Sequence, residues 1–131
     1  MNLAQTSQTF LPPEDQSWLG SAHGTDSLET ITLDVSAFTA TFTDGVIPSG
    51  VALGKITATG LYAPYDDAAV DGSAVMTGFL YTTKDISAGD TFDIGASMLT
   101  HGKIRVAKLP TDHGLDAAGR TDVAGRIQFL E

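Results

Sequence analysis

Alternation of apolar and polar residues with a period of two is the feature that most constrains how this chain can fold. Ile31, Leu33 and Val35 alternate with polar residues, and residues 102–107 show the same alternation. A period of two places the apolar residues on one face of a strand. Thr and Gly are plentiful, whereas the helix formers Glu, Lys and Arg are scarce. We therefore predict a mainly β or α+β fold of short antiparallel strands, with one or two short helices.

Other segments extend this pattern of strands and turns. Apolar runs bounded by Gly, Pro and Asp predict further strands, and Asp-Gly pairs predict tight turns. Residues 115–125 predict a short helix that Gly119 weakens. The other expected strands cover residues 37–42, 51–59, 74–81, 91–98 and 126–130, and the expected turns and loops cover residues 43–45, 66–72 and 87–90.

The first 26 residues differ in composition from the rest of the 131-residue chain. They are rich in Gln, Ser and Thr and carry too few large apolar side chains to offset the entropy of ordering. Pro12 and Pro13 stiffen the segment toward an extended conformation. We therefore predict an extended, flexible N-terminal arm over residues 1–26 and one compact β-rich domain over residues 27–131. The isolated apolar residues of the arm are Phe10, Leu11, Trp18 and Leu19.

Charge and cysteine content exclude several classes of function. The net charge of −9, without a basic stripe, argues against nucleic acid as a partner. The lack of cysteine excludes disulfides, thiolate metal sites and thiol catalysis. The N-terminus has no basic start or apolar run of a signal peptide, and no apolar window is long enough to span a bilayer. We expect a protein made in a cytoplasm, with no membrane partner.

An acidic loop is the first candidate for a metal site. Asp66, Asp67 and Asp71, followed by Gly72, loosely resemble a calcium-binding loop. Such loops need oxygen ligands at regular spacing and a closing bidentate Glu, and this chain has apolar residues at the intervening positions. We interpret the segment as a solvated turn without a bound cofactor.

The remaining candidates for catalysis are also weak. Asp90 and Asp93 flank a Thr, but the Gly that an aspartic protease needs after that Thr is replaced by Phe. His23, His101 and His113 share no metal-ligand spacing, and each lies beside a Gly, which is typical of loops. We expect no enzymatic activity, no catalytic residues, no metal and no cofactor.

Residues 47–80 read as a strand, a wide acidic turn and a returning strand. The pieces Leu61-Tyr-Ala-Pro-Tyr-Asp66, Asp71-Gly-Ser-Ala-Val75 and Gly78-Phe-Leu80 resemble, in this order, the head decoration (capsid-stabilising) proteins of lambda-type tailed bacteriophages. A looser likeness extends over residues 104–110 and 118–129. The resemblance implies a homotrimer on the outer surface of an expanded phage capsid, at three-fold and quasi-three-fold positions. Its partner is then the major capsid protein, and its function is to stabilise the shell against the pressure of packaged DNA.

The resemblance also implies a role for the arm, in which residues near the N-terminus become ordered against the capsid. The residues expected to make this contact are Thr9, Phe10, Leu11, Trp18 and Leu19. A second interpretation folds Trp18 and Leu19 back over the domain as a satellite cluster. The resemblance favours partner binding, and removal of residues 1–20 is then expected to leave the free domain nearly unchanged.

A small β-sandwich binding module is the main alternative, with carbohydrate or a host surface as its partner. Sugar sites need exposed aromatic platforms on a folded domain. The candidates for such platforms are Tyr62, Tyr65 and Tyr81.

Overall fold

The protein is described by a computed structural model covering residues 14–86 and 93–131. The described residues form a mainly β domain with two short α-helices, which confirms the predicted fold class. The elements in chain order are β1 (Glu29–Leu33), α1 (Val35–Phe38), β2 (Val46–Ile47), β3 (Ala52–Lys55), β4 (Tyr62–Pro64), β5 (Met76–Leu80), β6 (Lys84–Asp85), β7 (Ile94–Leu99), β8 (Gly102–Arg105), α2 (Ala117–Asp122) and β9 (Ile127–Leu130).

Five strands close into a barrel in the order β1-β4-β3-β5-β7, with β7 pairing back to β1. Most pairs are antiparallel, as predicted. The β1–β4 pair is parallel, and the Asp34 N–H donates to the Tyr62 carbonyl at 2.8 Å. Strands β2 and β6 form an antiparallel ribbon outside the barrel. Strands β8 and β9 pair in parallel, which requires the long crossover that a 3-10 helix (Val106–Lys108) and α2 supply.

Two hydrophobic clusters lie on opposite faces of the barrel wall. Successive residues of a strand point to opposite faces, so β3, β5 and β7 each contribute to both clusters. The barrel cluster comprises Ile31, Leu33, Val35, Phe38, Phe42, Ile47, Val51, Leu53, Leu80, Ile86, Ala96 and Met98. The outer cluster comprises Trp18, Ala52, Tyr65, Met76, Phe79, Leu99, Ile104, Val123 and Ile127.

The segment after β1 corrects the prediction of a strand over residues 37–42. It forms α1, and the Phe42 N–H continues the turn by donating to the Phe38 carbonyl at 2.9 Å. Val35, Phe38 and Phe42 are all buried in the barrel cluster. Their spacing of three and four residues is a helical period, which the two-residue pattern of β1 had concealed.

The other predicted strands are present, and those predicted over residues 51–59 and 74–81 are shorter than predicted. The strand predicted over residues 51–59 ends at Lys55, where the chain turns toward β4. The strand predicted over residues 74–81 begins at Met76, because residues 71–75 form a turn in which the Val75 N–H donates to the Gly72 carbonyl. The turn predicted over residues 87–90, and residues 91–92, lie outside the described residues.

Helix α2 confirms the predicted helix and explains the glycine inside it. Asp116 caps the helix by accepting from the Gly119 N–H at 2.8 Å. A Cβ atom on Gly119 would lie 3.0 Å from the Tyr65 ring and 3.0 Å from the Met76 sulfur. The glycine therefore lets the helix pack closely on the barrel wall.

The start of the packed domain corrects the predicted boundary between arm and domain. Residues 1–13 lie outside the described residues, but residues 14–26 make many contacts with the domain. The Gly20 N–H donates to the Lys103 carbonyl at 2.7 Å, and Leu19 forms an isolated bridge with Ile104. The packed domain therefore includes residues 14–26 and does not begin at residue 27.

Candidate functional site

The N-terminal junction, defined as residues 14–20, is the segment through which the predicted arm enters the domain. Trp18 is fully buried at its centre. The Trp18 ring packs against Phe79 with a centroid distance of 5.8 Å. The Trp18 Nε1–H donates to Ser49 Oγ at 3.1 Å, and Ser49 Oγ–H donates to the Tyr81 carbonyl at 2.7 Å. The polar edge of the indole is thus satisfied inside the core, as buried Trp requires.

Polar side chains fix the residues before Trp18. The Glu14 carboxylate accepts from the Thr83 N–H at 2.9 Å and from the Thr83 hydroxyl at 2.7 Å. Gln16 Nε2 donates to the Tyr81 carbonyl at 2.6 Å. The Ser17 hydroxyl and N–H both donate to Asp15, which lowers the pKa of the Asp15 carboxyl. These bonds give the preceding chain a defined starting position beside residues 81–83.

Burial of Trp18 corrects one part of the arm hypothesis. Trp18 lies in the outer cluster, Leu19 packs against that cluster, and the alternative interpretation of a segment folded back over the domain is confirmed for both. Neither side chain is an exposed anchor. The physical reason is the hydrophobic effect. The outer face of the wall formed by β3, β5 and β7 is apolar, and packing of the Trp18 indole against it removes apolar surface from water. The other arm residues, Thr9, Phe10 and Leu11, lie outside the described residues.

The acidic loop, residues 66–72, uses its carboxylates to hold its own backbone. Asp66 accepts from the Ala68 N–H at 3.0 Å, and Asp71 accepts from the N–H and hydroxyl of Ser73 at 3.0 and 2.6 Å. The Ser73 hydroxyl and N–H lower the pKa of the Asp71 carboxyl. Such bonds are typical of turns at Asp. Within residues 14–86 and 93–131, His, Asp and Glu form no group of three or more that could hold a metal ion.

Two exposed valines belong to the same region. Val70, in the acidic loop, is fully exposed, and Val75, just before β5, is more than half exposed. Isolated exposed apolar residues are common on soluble proteins. Their presence here is therefore weak support for a contact surface.

The histidines lie in loops and at strand ends, as predicted from their neighbouring glycines. His23 and His101 are exposed. His113 is half-buried, and its Nδ1 accepts from the Leu115 N–H at 2.8 Å. Burial lowers the pKa of His113. Asp93 is exposed just before β7, whereas Asp90 lies outside the described residues.

The tyrosines bear on the carbohydrate-binding alternative. Tyr65 is buried, and its hydroxyl donates to Asp116 at 2.8 Å. Burial of the phenol is the main cause that raises the pKa of Tyr65, and the hydrogen bond to Asp116 raises it further. Tyr62 and Tyr81 are half-buried and pack against the barrel cluster and the outer cluster. Tyr65 is therefore a core residue and no sugar platform, which weakens that alternative.

Sequence reasoning missed the residues that hold the junction. Ser49, Tyr81 and Thr83 carry no motif, and they lie more than 30 positions after Trp18. The available signal was Trp18 itself, because a lone Trp in a polar segment needs an apolar surface to cover. Within the described residues, no helix is long and apolar enough to cross a membrane.

No protein-family model matches the sequence, and no curated protein matches it significantly.

Proposed function

We propose that this protein is a structural component of a phage particle. It binds as a homotrimer to the outside of the expanded head, at three-fold and quasi-three-fold positions, and contacts the major capsid protein. There it stabilises the shell against internal DNA pressure. The function is mechanical and involves no turnover of a substrate.

The resembling pieces support the proposal because two of them lie in barrel strands that flank the same third strand. The piece at 61–66 contains β4, the piece at 71–75 overlaps the end of the acidic loop, and the piece at 78–80 lies in β5. Strands β4 and β5 flank β3 on either side in the barrel. The resembling pieces thus lie on two of the five barrel strands, on either side of β3, and in the segment that connects them.

The observation that carries the proposal is the fixed N-terminal junction. Glu14 and Gln16 are hydrogen-bonded to residues 81–83, and Trp18 is buried just beyond them. Residues 1–13 precede this anchored point, have no charged side chain, and include Phe10 and Leu11. The domain therefore holds the start of a short segment without charged side chains at a defined position, and strand addition to an exposed sheet edge of a shell would bind such a segment through main-chain hydrogen bonds.

Three such segments on one trimer explain how weak contacts stabilise a shell. A segment that folds on binding loses about 2–5 kcal/mol of its interaction energy to ordering. Three segments on one particle act at high effective concentration, and avidity raises affinity by about 10² to 10⁴ without new contacts. A trimer that bridges neighbouring capsomers then favours the shell form to which it binds.

The charge of the protein is compatible with an outer position. A trimer carries three times the net charge of −9. This charge disfavours adsorption to packaged DNA and favours approach to basic patches on a shell.

Two measurements test the proposal. Light scattering should give three times the 13.6 kDa chain mass. Co-sedimentation with expanded, undecorated shells, assembled from the major capsid protein of the phage that carries this chain, should show saturable binding of the full chain.

The matched control is the chain without residues 1–13, which retains Glu14, Gln16 and Trp18. We expect it to stay folded and to lose shell binding. Saturable binding by this truncated chain would contradict the role of the arm. A strict monomer without shell binding would contradict the proposed function as a whole.

A further inference from the structure

One side of the two-stranded β8–β9 sheet faces solvent and carries positive charge. Ile104 of β8 packs in the outer cluster, whereas Lys103 and Arg105 are exposed on the opposite side of the strand. Leu130 of β9 is half-buried and pairs in register with Arg105, so the two side chains lie on the same side of the sheet. A Cβ on Gly20 would lie 2.8 Å from Leu130 Cδ1 and 2.9 Å from Lys103 Cβ, which places both side chains beside the N-terminal junction. We call Lys103, Arg105 and Leu130 the basic face.

The positive charges of this face are not neutralised within the part of the chain that the structure describes. Neither Lys103 nor Arg105 forms an ion pair with another described residue. The carboxylate of Glu131, at the end of β9, is paired with Arg120 at 2.7 Å instead. The basic face therefore keeps two cations and one apolar side chain available for a partner.

A depression of about 570 Å³ continues the basic face beyond Lys103. It is also lined by His23 and Arg126, and by no acidic residue. The chain as a whole has a net charge of −9, so this region is a local reversal of the overall sign. Such a reversal attracts carboxylates and repels cations.

The acidic loop of a second copy has the matching chemistry. Val70 is fully exposed in this loop, and its three carboxylates are exposed as well. Asp66 and Asp71 use only Oδ1 for the hydrogen bonds of the turn. The Asp67 carboxylate forms no ion pair with any other described residue. The loop thus presents an apolar side chain among carboxylates, as the basic face presents one beside cations.

The two surfaces do not meet within one chain. No residue of the acidic loop lines the depression beside Lys103. One copy can therefore offer its loop and its basic face to two different neighbours at the same time. Such a contact is heterologous, and when it is repeated by three-fold rotation it closes into a ring that uses every loop and every face.

We propose that the acidic loop of one copy docks on the basic face of the next copy, and that three such contacts close the homotrimer. Val70 packs on Leu130, and the carboxylates of the loop pair with Lys103 and Arg105. Removal of water around the apolar pair strengthens the charge pairs next to it. This inference deepens the proposed function, on whose homotrimer it rests.

Exchange of charge between the two surfaces tests the contact. The loop variant carries Asp67→Lys and Val70→Lys, and the face variant carries Lys103→Glu and Arg105→Glu. All four side chains are exposed, so both variants should stay folded. Each variant places like charges opposite one another, and we expect association to weaken by at least about 100-fold. The chain with all four substitutions has opposite charges again and should recover at least about tenfold of this loss.

Sedimentation velocity over a range of chain concentrations measures the association, and far-UV circular dichroism checks the fold. The matched control carries Lys84→Glu and Lys108→Glu, which change the net charge as much as the face variant does but lie outside both surfaces. Association of this control should stay within about threefold of the unchanged protein at about 0.15 M salt, where distant charges are screened.

The unchanged protein gives an independent measurement that needs no variant. A rise in salt from about 0.05 M to about 0.5 M should weaken its association by at least about tenfold, because the contact depends on exposed charge pairs. Association that does not depend on salt would overturn the proposal. Equal weakening by the control variant, or no recovery in the chain with all four substitutions, would overturn it as well.

The outcomes also separate this contact from the proposed function. A trimer that tolerates the loop variant and the face variant would contradict the contact and leave the homotrimer and its role on a shell intact. A strict monomer of the unchanged protein would overturn the contact, and co-sedimentation with shells would then decide the proposed function separately.

Discussion

The barrel cluster and the outer cluster are built in different ways. The barrel cluster consists of residues between Ile31 and Ile86, together with Ala96 and Met98 of β7. The barrel strands that carry part of this cluster are joined to one another by backbone hydrogen bonds. The outer cluster extends from Trp18 to Ile127 and joins both ends of the described chain on the outside of the barrel wall. The barrel is thus a scaffold, and the outer layer fixes the position of the N-terminal junction, residues 14–20.

This difference separates residues that shape the fold from residues that position the arm. Loss of barrel contacts should unfold the whole domain. Changes near Trp18 should affect both stability and the position of the junction, because Glu14 and Gln16 lie only two to four residues before it. The predictions below test this distinction, beginning with the largest expected effect.

Truncation of Trp18 tests whether the junction belongs to the core. Trp18→Ala should lower the free energy of unfolding by roughly 3–5 kcal/mol, because it removes a fully buried indole from the outer cluster. Trp18→Phe keeps the ring contact with Phe79 and should lose less. Urea denaturation of the free protein measures both. If Trp18→Ala lowers the free energy of unfolding by less than about 1 kcal/mol, the burial of Trp18 is contradicted and the residue belongs to an exposed arm.

A glycine pair tests the packing of the barrel wall. A Cβ on Gly54 would collide with the backbone carbonyl of Ser73, whereas a Cβ on Gly95 would have its nearest neighbour, the Ile31 carbonyl, at 4.0 Å. Gly54→Ala should therefore cost about 3 kcal/mol of stability, as overpacking of a tight site does.

Gly95→Ala is the matched control from another barrel strand. It should change the free energy of unfolding by less than about 0.5 kcal/mol in the same denaturation experiment. Equal effects of the two substitutions would show that the wall near Ser73 can shift.

The hydroxyl of Ser49 tests the polar link between junction and barrel. Ser49→Ala should cost about 2 kcal/mol, because it leaves the buried Trp18 N–H without its acceptor. In a Trp18→Phe background, the same substitution should cost clearly less, since that N–H is then absent. Additive losses in this double-mutant cycle would mean that the hydrogen bond contributes little.

The cap of α2 gives the smallest effect and a dependence on pH. The pKa of the Asp116 carboxyl is lowered most by the hydrogen bond from the Gly119 N–H and next by the hydrogen bond from the Tyr65 hydroxyl. A carboxyl with a lowered folded pKa stabilises the fold above its unfolded pKa, and this stability is lost as the pH falls through the folded value. Asp116→Ala should cost about 1 kcal/mol at neutral pH through loss of the cap.

The deficit of Asp116→Ala should shrink below pH 4, as the carboxyl of the unchanged protein becomes protonated. Asp116→Asn keeps a capping oxygen and should lose less at neutral pH, since the exposed charge is screened by water. Thermal melts between pH 3 and pH 7 make the comparison. A constant deficit over this range would contradict the assigned role of the charge.

The sequence predicted the barrel better than the outer layer, for a physical reason. Alternation in β1 and apolar runs in β5 and β7 are local signals, and they located these strands within a few residues. The strand predicted after β1 was wrong, because Phe38 and Phe42 follow a helical spacing that a short window confuses with a bent strand.

The position of Trp18 required partners that the sequence does not bring together. Ser49 lies 31 positions away, and Phe79 lies on another strand. A local pattern contains no information about such contacts, so composition alone assigned the segment to the arm. The hydrogen bond between Tyr65 and Asp116, 51 positions apart, was beyond prediction for the same reason.

Two truncations test most directly whether the packed domain starts at the N-terminal junction. Removal of residues 1–13 should leave the free energy of unfolding within about 1 kcal/mol of the full chain. Removal of residues 1–20 should lower it by at least about 3 kcal/mol, because Trp18 is lost with the segment, and this replaces the sequence-based expectation of little change. Equal stability of the two truncated chains would contradict the account.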